Sequence, residues 1–183
     1  MKANQPSRIQ RLLTGIATAV IVVSLASSAG AQQKAGGSKV GEFAFGAAMG
    51  LQADTPDGAA FALGLYGDYF LTRELSVGPL LQMGVTNDLF QTGVSAQAKY
   101  FLDIADIPKL KPNVQAGLGI IHADLDRRGG KESDTSYLIP FGIGAEYKLK
   151  DSVSLDTTFL FNITNLDVRD EKFFVTWLIG LKF

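Results

Sequence analysis

The chain has 183 residues, no cysteine, one histidine and a net charge of −1, which excludes a disulfide scaffold and any cysteine-bearing metal site. Its twenty glycines and many β-prone apolar residues, without long helical periodicity after residue 40, point to a single all-β domain.

In chain order, Lys2, Arg8 and Arg11 precede an apolar run over residues 12–25, and Ala29-Gly30-Ala31 then supplies a small-x-small cleavage site. That is the pattern of a secretory signal peptide over residues 1–31. The run is shorter than the roughly 20 residues a membrane-spanning helix needs, so cleavage after Ala31 is expected rather than anchoring. Cleavage removes three positive charges and no acidic ones, moving the balance from −1 to −4, and leaves no basic footprint for nucleic acid. Export also argues against a cytoplasmic enzyme. Residues 32–41 (QQKAGGSKVG) are small and polar and suit a flexible lead-in.

From residue 42 the chain alternates with a period of two, the signature of strands with one apolar face. Segment 42–52 sets Phe43, Phe45, Ala47, Met49 and Leu51 against Ala44, Gly46, Ala48, Gly50 and Gln52. Segment 59–71 sets Phe61, Leu63, Leu65 and Tyr69 against Ala62, Gly64, Tyr66 and Asp68. Segments 75–85, 92–102 and 111–122 repeat the scheme, with Gln82, Gln97 and Gln115 among the residues of the smaller, more polar parity. Segment 136–149 carries Tyr137, Ile139, Phe141, Ile143 and Tyr147 on its apolar parity, and the seventh run, 153–163, carries Leu155, Phe159, Phe161 and Ile163. The eighth, FFVTWLIGLKF (173–183), places Phe173, Val175, Trp177, Ile179, Leu181 and Phe183 on one parity, with Thr176, Gly180 and Lys182 between them.

Eight strands of about 10 residues have the length a tilted strand needs to cross a bilayer. The connections at 72–74 and 150–152 read as tight turns, whereas 124–135 (DLDRRGGKESDT) and 164–172 (TNLDVRDEK) read as longer charged loops on the opposite rim. An eight-stranded barrel has an interior only wide enough for side chains or one small ligand. About five large side chains per strand do not fit there, so the small parity is expected inside and the apolar parity against lipid. Phe43, Tyr69, Tyr100, Tyr147 and Phe183 would then mark one membrane interface, and Phe61, Tyr137, Phe161 and Phe173 the other. An open edge would strand unpaired backbone groups in hydrocarbon, so the eighth strand should pair with the first. Pro79 and Pro140 lie inside strands, and bulges are expected there.

The signal sequence, the eight amphipathic strands and the terminal strand ending in Phe183 resemble the small eight-stranded outer-membrane barrels of the OmpA/OmpX type, without a periplasmic domain. The resemblance covers residues 42–183 and implies an all-β, eight-stranded antiparallel up-and-down transmembrane β-barrel in the bacterial outer membrane. In that family the last strand and its terminal aromatic resemble the signal read by the barrel-assembly machinery, here Phe173, Val175, Trp177, Ile179, Leu181 and Phe183. The periodicity specifies architecture far better than activity.

The inward charges Asp68, Lys99, Lys111, Glu146, Lys148, Asp156 and Lys182 fall toward the short-turn rim. Buried charges must pair, so a salt-bridged plug of the lumen is expected, with a selective constriction in a narrow pore as the alternative. Some barrels of this size are lipid A deacylases with an outward histidine and a nearby serine. Here the stretch is His122-Ala123-Asp124, so a nucleophile would have to come from Ser133 or Ser136, and a belt histidine is the plainer reading. Loop residues Arg127, Arg128 and Lys131 lie among acids, a pattern of a solvated loop or of contact with lipopolysaccharide phosphates. The sequence thus points to a monomeric, non-enzymatic barrel with a structural or surface and lipid-interacting role. Its expected partners are outer-membrane lipids, lipopolysaccharide and the assembly machinery; no catalytic residue, cofactor or metal is expected.

Overall fold

The computed structural model describes residues 40–127, 130–150 and 152–183. The expected signal peptide and nearly all of the lead-in lie outside these residues. Eight strands follow one another: β1 (Phe43–Thr55), β2 (Gly58–Phe70), β3 (Leu75–Val85), β4 (Leu89–Phe101), β5 (Leu110–Arg127), β6 (Gly130–Lys150), β7 (Val153–Leu166) and β8 (Glu171–Lys182). Each pairs antiparallel with its neighbours and the sheet closes in the order β1 to β8. Closure runs from Gly46↔Lys182 to Ala53↔Val175. The terminal residue takes part: Phe45 N donates to Phe183 O at 3.1 Å and Phe183 N donates to Phe45 O at 2.8 Å. A closed ladder satisfies the backbone without water, the condition for crossing hydrocarbon.

The apolar parity faces outward. Phe43, Met49, Leu51, Val94, Leu118, Ile120, Ile143, Trp177 and Ile179 are all exposed, and such a surface is compatible only with lipid. The aromatics expected at the short-turn interface, Phe43, Tyr69, Tyr100, Tyr147 and Phe183, are likewise exposed.

Three expectations need correction. The prolines introduce no bulge. Pro79 keeps its place opposite Ala96, and Pro140 opposite Asn162. The β2–β3 ladder simply skips from Tyr66↔Leu80 to Tyr69↔Val77, and β5–β6 from Ala116↔Phe141 to Gly119↔Leu138, with the register unchanged. A strand residue sends its N–H to one neighbour only, so proline removes a single ladder step and leaves the other side paired. The register shifts fall instead near strand ends, between Gln52/Thr55, Lys148/Lys150 and Ile163/Leu166.

Residues 124–127 and 130–135 are not loop but the two arms of a β-ribbon, with His122↔Thr135 to Arg127↔Gly130 in register. This ribbon stands beyond its neighbours, since β4 pairs β5 only as far as Leu89↔Leu125 and β7 pairs β6 only from Ile139↔Ile163.

The inward face also carries large residues. Ala48, Ala62, Tyr66, Leu80, Leu160 and Leu178 form one buried apolar cluster in mid-barrel. Leu89, Ile121, Ala123, Leu125, Leu138, Leu166, Val168 and Phe174 form a second toward the ribbon end. Small partners make the room: a Cβ at Gly46 would enter the ring of Tyr66, which lies opposite it on β2. An aromatic ring laid over a cross-strand glycine fills the lumen without spreading the strands.

Candidate functional site: the lumen and its two mouths

The inward positions of β8 measure out the lumen: Lys182, Leu178, Thr176 and Phe174 each belong to a different tier. At the short-turn end Asp68 is the hub of the charged tier. Lys99 Nζ lies 3.1 Å from its Oδ1 and Lys182 Nζ 3.2 Å from its Oδ2. Ser76 donates to Oδ1 at 3.3 Å, and Lys182 reaches Glu146 Oε2 at 2.7 Å. Aromatic faces enclose the two ammonium groups, with Lys99 4.1 Å from the Tyr66 ring centroid and Lys182 5.0 and 4.8 Å from those of Phe70 and Phe101. A buried ammonium ion is held by paired carboxylates and by ring quadrupoles together. Asp156 borders this tier, where it lines a small cavity with Tyr66, Gln97, Lys99, Gln115 and Thr158. That space is about what one water requires.

Of the charges the sequence placed inside, the structure brings Asp68, Lys99, Glu146 and Lys182 into one bonded chain, with Asp156 beside it. Lys111 does not join them. It turns to Asp103 in the β4–β5 connection at 3.3 Å. Lys148 is half-buried opposite Ser154 at the same rim.

Above the charges lies the mid-barrel apolar tier, and above that a tier of amides and hydroxyls. Gln82 Nε2 donates to Asn162 Oδ1 at 3.2 Å, and Asn162 Nδ2 donates to Thr176 Oγ1 at 3.0 Å. The second apolar cluster lies at the ribbon end. A 3₁₀ turn, Val168–Asp170, inserts Val168 into that cluster. The strap that carries it is tied to β6: Asp167 N donates to Asp134 Oδ2 at 2.8 Å and Asn165 N to Ser136 Oγ at 3.2 Å.

On the outer face of the ribbon, His122 Nδ1 lies 2.7 Å from Thr135 Oγ1 and its Nε2 lies 3.4 Å from Asp124 Oδ2. Lys131 approaches Asp124 at 3.8 Å. Neither Ser133 nor Ser136 takes the position opposite the histidine, which falls to Thr135; Ser133 lies opposite Asp124 and Ser136 holds the strap. The Arg127 side chain and Arg128 lie outside the described residues. Among the described residues no group of His, Asp and Glu is arranged to hold a metal ion.

Of the residues expected to form an assembly signal, Phe173, Trp177, Ile179, Leu181 and Phe183 are exposed on the outer face. Sequence reasoning missed the aromatic floor, Phe70 and Phe101, whose mutually tilted rings lie 5.6 Å apart, and it missed Glu171. The available signal was adjacency: where both parities of a strand are large, as in Leu80-Leu81, Phe159-Leu160-Phe161 and Trp177-Leu178-Ile179, the barrel is filled on both sides at that height.

A closed eight-stranded barrel, greasy outside and charged at one mouth, defines an outer-membrane class of protein, and the comparisons agree. Residues 16–177 match the outer membrane protein beta-barrel domain family, to which the chain belongs. The fold is similar to that of Neisserial surface protein A, with a TM-score of 0.60 and 18% identity over 76% of this chain and 94% of that one. The N-terminal barrel of Pseudomonas aeruginosa OprF gives 0.54 and 15%, covering 77% and 97%. Yersinia pestis Ail, the attachment invasion locus protein, gives 0.52 and 16%, covering 77% and 96%. Identities this low speak for the fold alone. No curated protein matches the sequence.

Proposed function

We propose that this outer-membrane barrel is a sealed, non-enzymatic protein whose role is structural or surface-directed, with membrane lipid and lipopolysaccharide as its contacts. The observation that carries the reading is the tiered lumen. A pore for ions needs a continuous wet path, and hydrophobic constrictions gate by excluding water. Here the charged tier is consumed by its own ion pairs and aromatic faces, and two apolar clusters follow it. The outward surface is the remaining functional surface, and its polar block of His122, Asp124, Thr135 and Lys131 stands next to the exposed apolar side chains of Ile120 and Tyr137. That is the height at which lipid headgroups meet a barrel wall. The assembly machinery remains the expected reader of β8.

Planar-bilayer recording of the refolded barrel tests the sealed lumen: no steady unitary current is expected, and steady single-channel steps would establish the narrow pore instead. The connectivity Thr135–His122–Asp124 also favours one second reading, an outer-leaflet lipid hydrolase, because a hydroxyl, an imidazole and a carboxylate in series is how nucleophiles are activated. The trio lies on an exposed sheet face, His122 and Asp124 on β5 and Thr135 opposite on β6, and we read it as a cross-strand brace. Incubation with lipopolysaccharide followed by mass spectrometry should release no acyl chain; release that disappears in His122→Asn would replace the first reading with the second.

A further inference from the structure

Glu171 opens β8 with its carboxyl group inside the barrel mouth. It is only 6% exposed, and both carboxylate oxygens are buried without a hydrogen-bond partner. Its cross-strand partner is Leu166, which belongs with Val168 and Phe174 to the upper apolar cluster. The charges around it are otherwise engaged. Lys172 pairs with Asp170 at 3.1 Å, both of them exposed. Asp134 accepts from the backbone of Asp167, and on the ribbon Glu132 and Asp126 are exposed. The Arg169 side chain on the turn lies outside the described residues; no described side chain gives the Glu171 carboxylate a hydrogen bond, and burial pushes its carboxyl group up to about 8. Glu171 precedes the outward Phe173 and stands beyond the membrane-facing part of β8.

The backbone beside it is under tension as well. Asp170 has φ of 53°, the left-handed region that a residue with a Cβ enters at a cost. The β7–β8 register shifts between Ile163 and Leu166. A strained turn, one inserted valine and a buried acid without a partner therefore sit within a few residues of each other, on a strap fastened to β6 through Asp134 and Ser136.

We propose that the strap bearing the turn Val168–Asp170 is a pH-operated lid on the mouth at the ribbon end, seated while Glu171 carries its proton and released when Glu171 ionises. Seated, the carboxyl group is neutral and Val168 completes the apolar cluster. Ionisation puts a bare charge into a buried site opposite Leu166 that offers it no hydrogen bond, and the cheapest relief is to turn β8's first residue out to water, which withdraws the valine and relaxes Asp170. In the released form Glu171 is solvated and returns to the ordinary value of 4.5. The seated form therefore binds the proton more tightly, and its advantage is whole below about pH 4.5, falls about tenfold per unit up to about pH 8, and is level above that. Acid seats the lid and alkali frees it. The lower tiers stay in place, so release uncovers an apolar cup lined by Leu89, Ile121, Leu138 and Phe174 without opening a path through the barrel.

The chain has no native cysteine, so a nitroxide on Asp170→Cys reports the strap alone. In the refolded barrel in lipid vesicles, electron paramagnetic resonance from about pH 5 to 9 should show label mobility rising with pH. The same label in a Glu171→Gln background should stay immobile throughout, and Glu171→Leu serves if the glutamine variant fails to show the heat-modifiable gel migration of a folded barrel. A flat profile with Glu171 present, or an equal rise in the neutral variants, overturns the proposal.

Discussion

Asp68 shows what a single side chain does in this lumen. Its two oxygens serve Lys99, Lys182 and the Ser76 hydroxyl, so Asp68→Ala leaves Lys99 without its ion-pair partner while Lys182 keeps Glu146. Breaking one partner of a buried pair costs about 3–5 kcal/mol, and a drop of that size is expected in urea unfolding of the refolded barrel. Leu178→Ala should cost about 2–5 kcal/mol by the cavity it leaves against Tyr66, Leu80 and Leu160, read by the same denaturation. These residues differ in how legible they were. Asp68 declared itself as an acid on an otherwise small parity. Leu178 hid between Trp177 and Ile179, because a continuous apolar run does not say which members point inward.

Among the elements, the strands that cross the membrane were readable because lipid on one side and a crowded lumen on the other enforce alternation. The ribbon of β5 and β6 was not readable. Beyond Leu125 the described residues of β5 and the start of β6 are exposed on both faces, the pattern DLDRRGGKESDT loses its period, and charge and glycine look like a loop although the backbone pairs as far as Arg127↔Gly130. Past Leu125 and Leu138 the ribbon pairs in register only with itself, and its ties to the rest of the barrel are the bond from Asp126 N to Asp88 O and the strap bonds at Asp134 and Ser136, so its tip adds little to the barrel. Replacing residues 126–131 with a two-residue turn should leave heat-modifiable migration intact and shift stability by less than about 1 kcal/mol. The prolines teach the complementary lesson: the rule that they avoid central strands was read as demanding a bulge, whereas each loses one ladder step and keeps its register.

At the scale of the whole molecule, one division of labour explains the chain. Large apolar side chains of one parity meet lipid, while the other parity stacks charge, hydrocarbon, amide and hydrocarbon along the axis. The outward half of that division was legible as alternation; the stacking was not, because it depends on which heights of different strands coincide, and that is set by register. Both halves are tested at once by scanning β8 with single nitroxides from residue 174 to 181 in lipid vesicles and measuring collision with oxygen and with a polar nickel chelate. Odd positions should be reached by oxygen and not by the chelate, and even positions by neither. Even positions open to the chelate would mean a water-filled lumen, and oxygen access on the even positions instead of the odd would mean that the barrel is turned the other way.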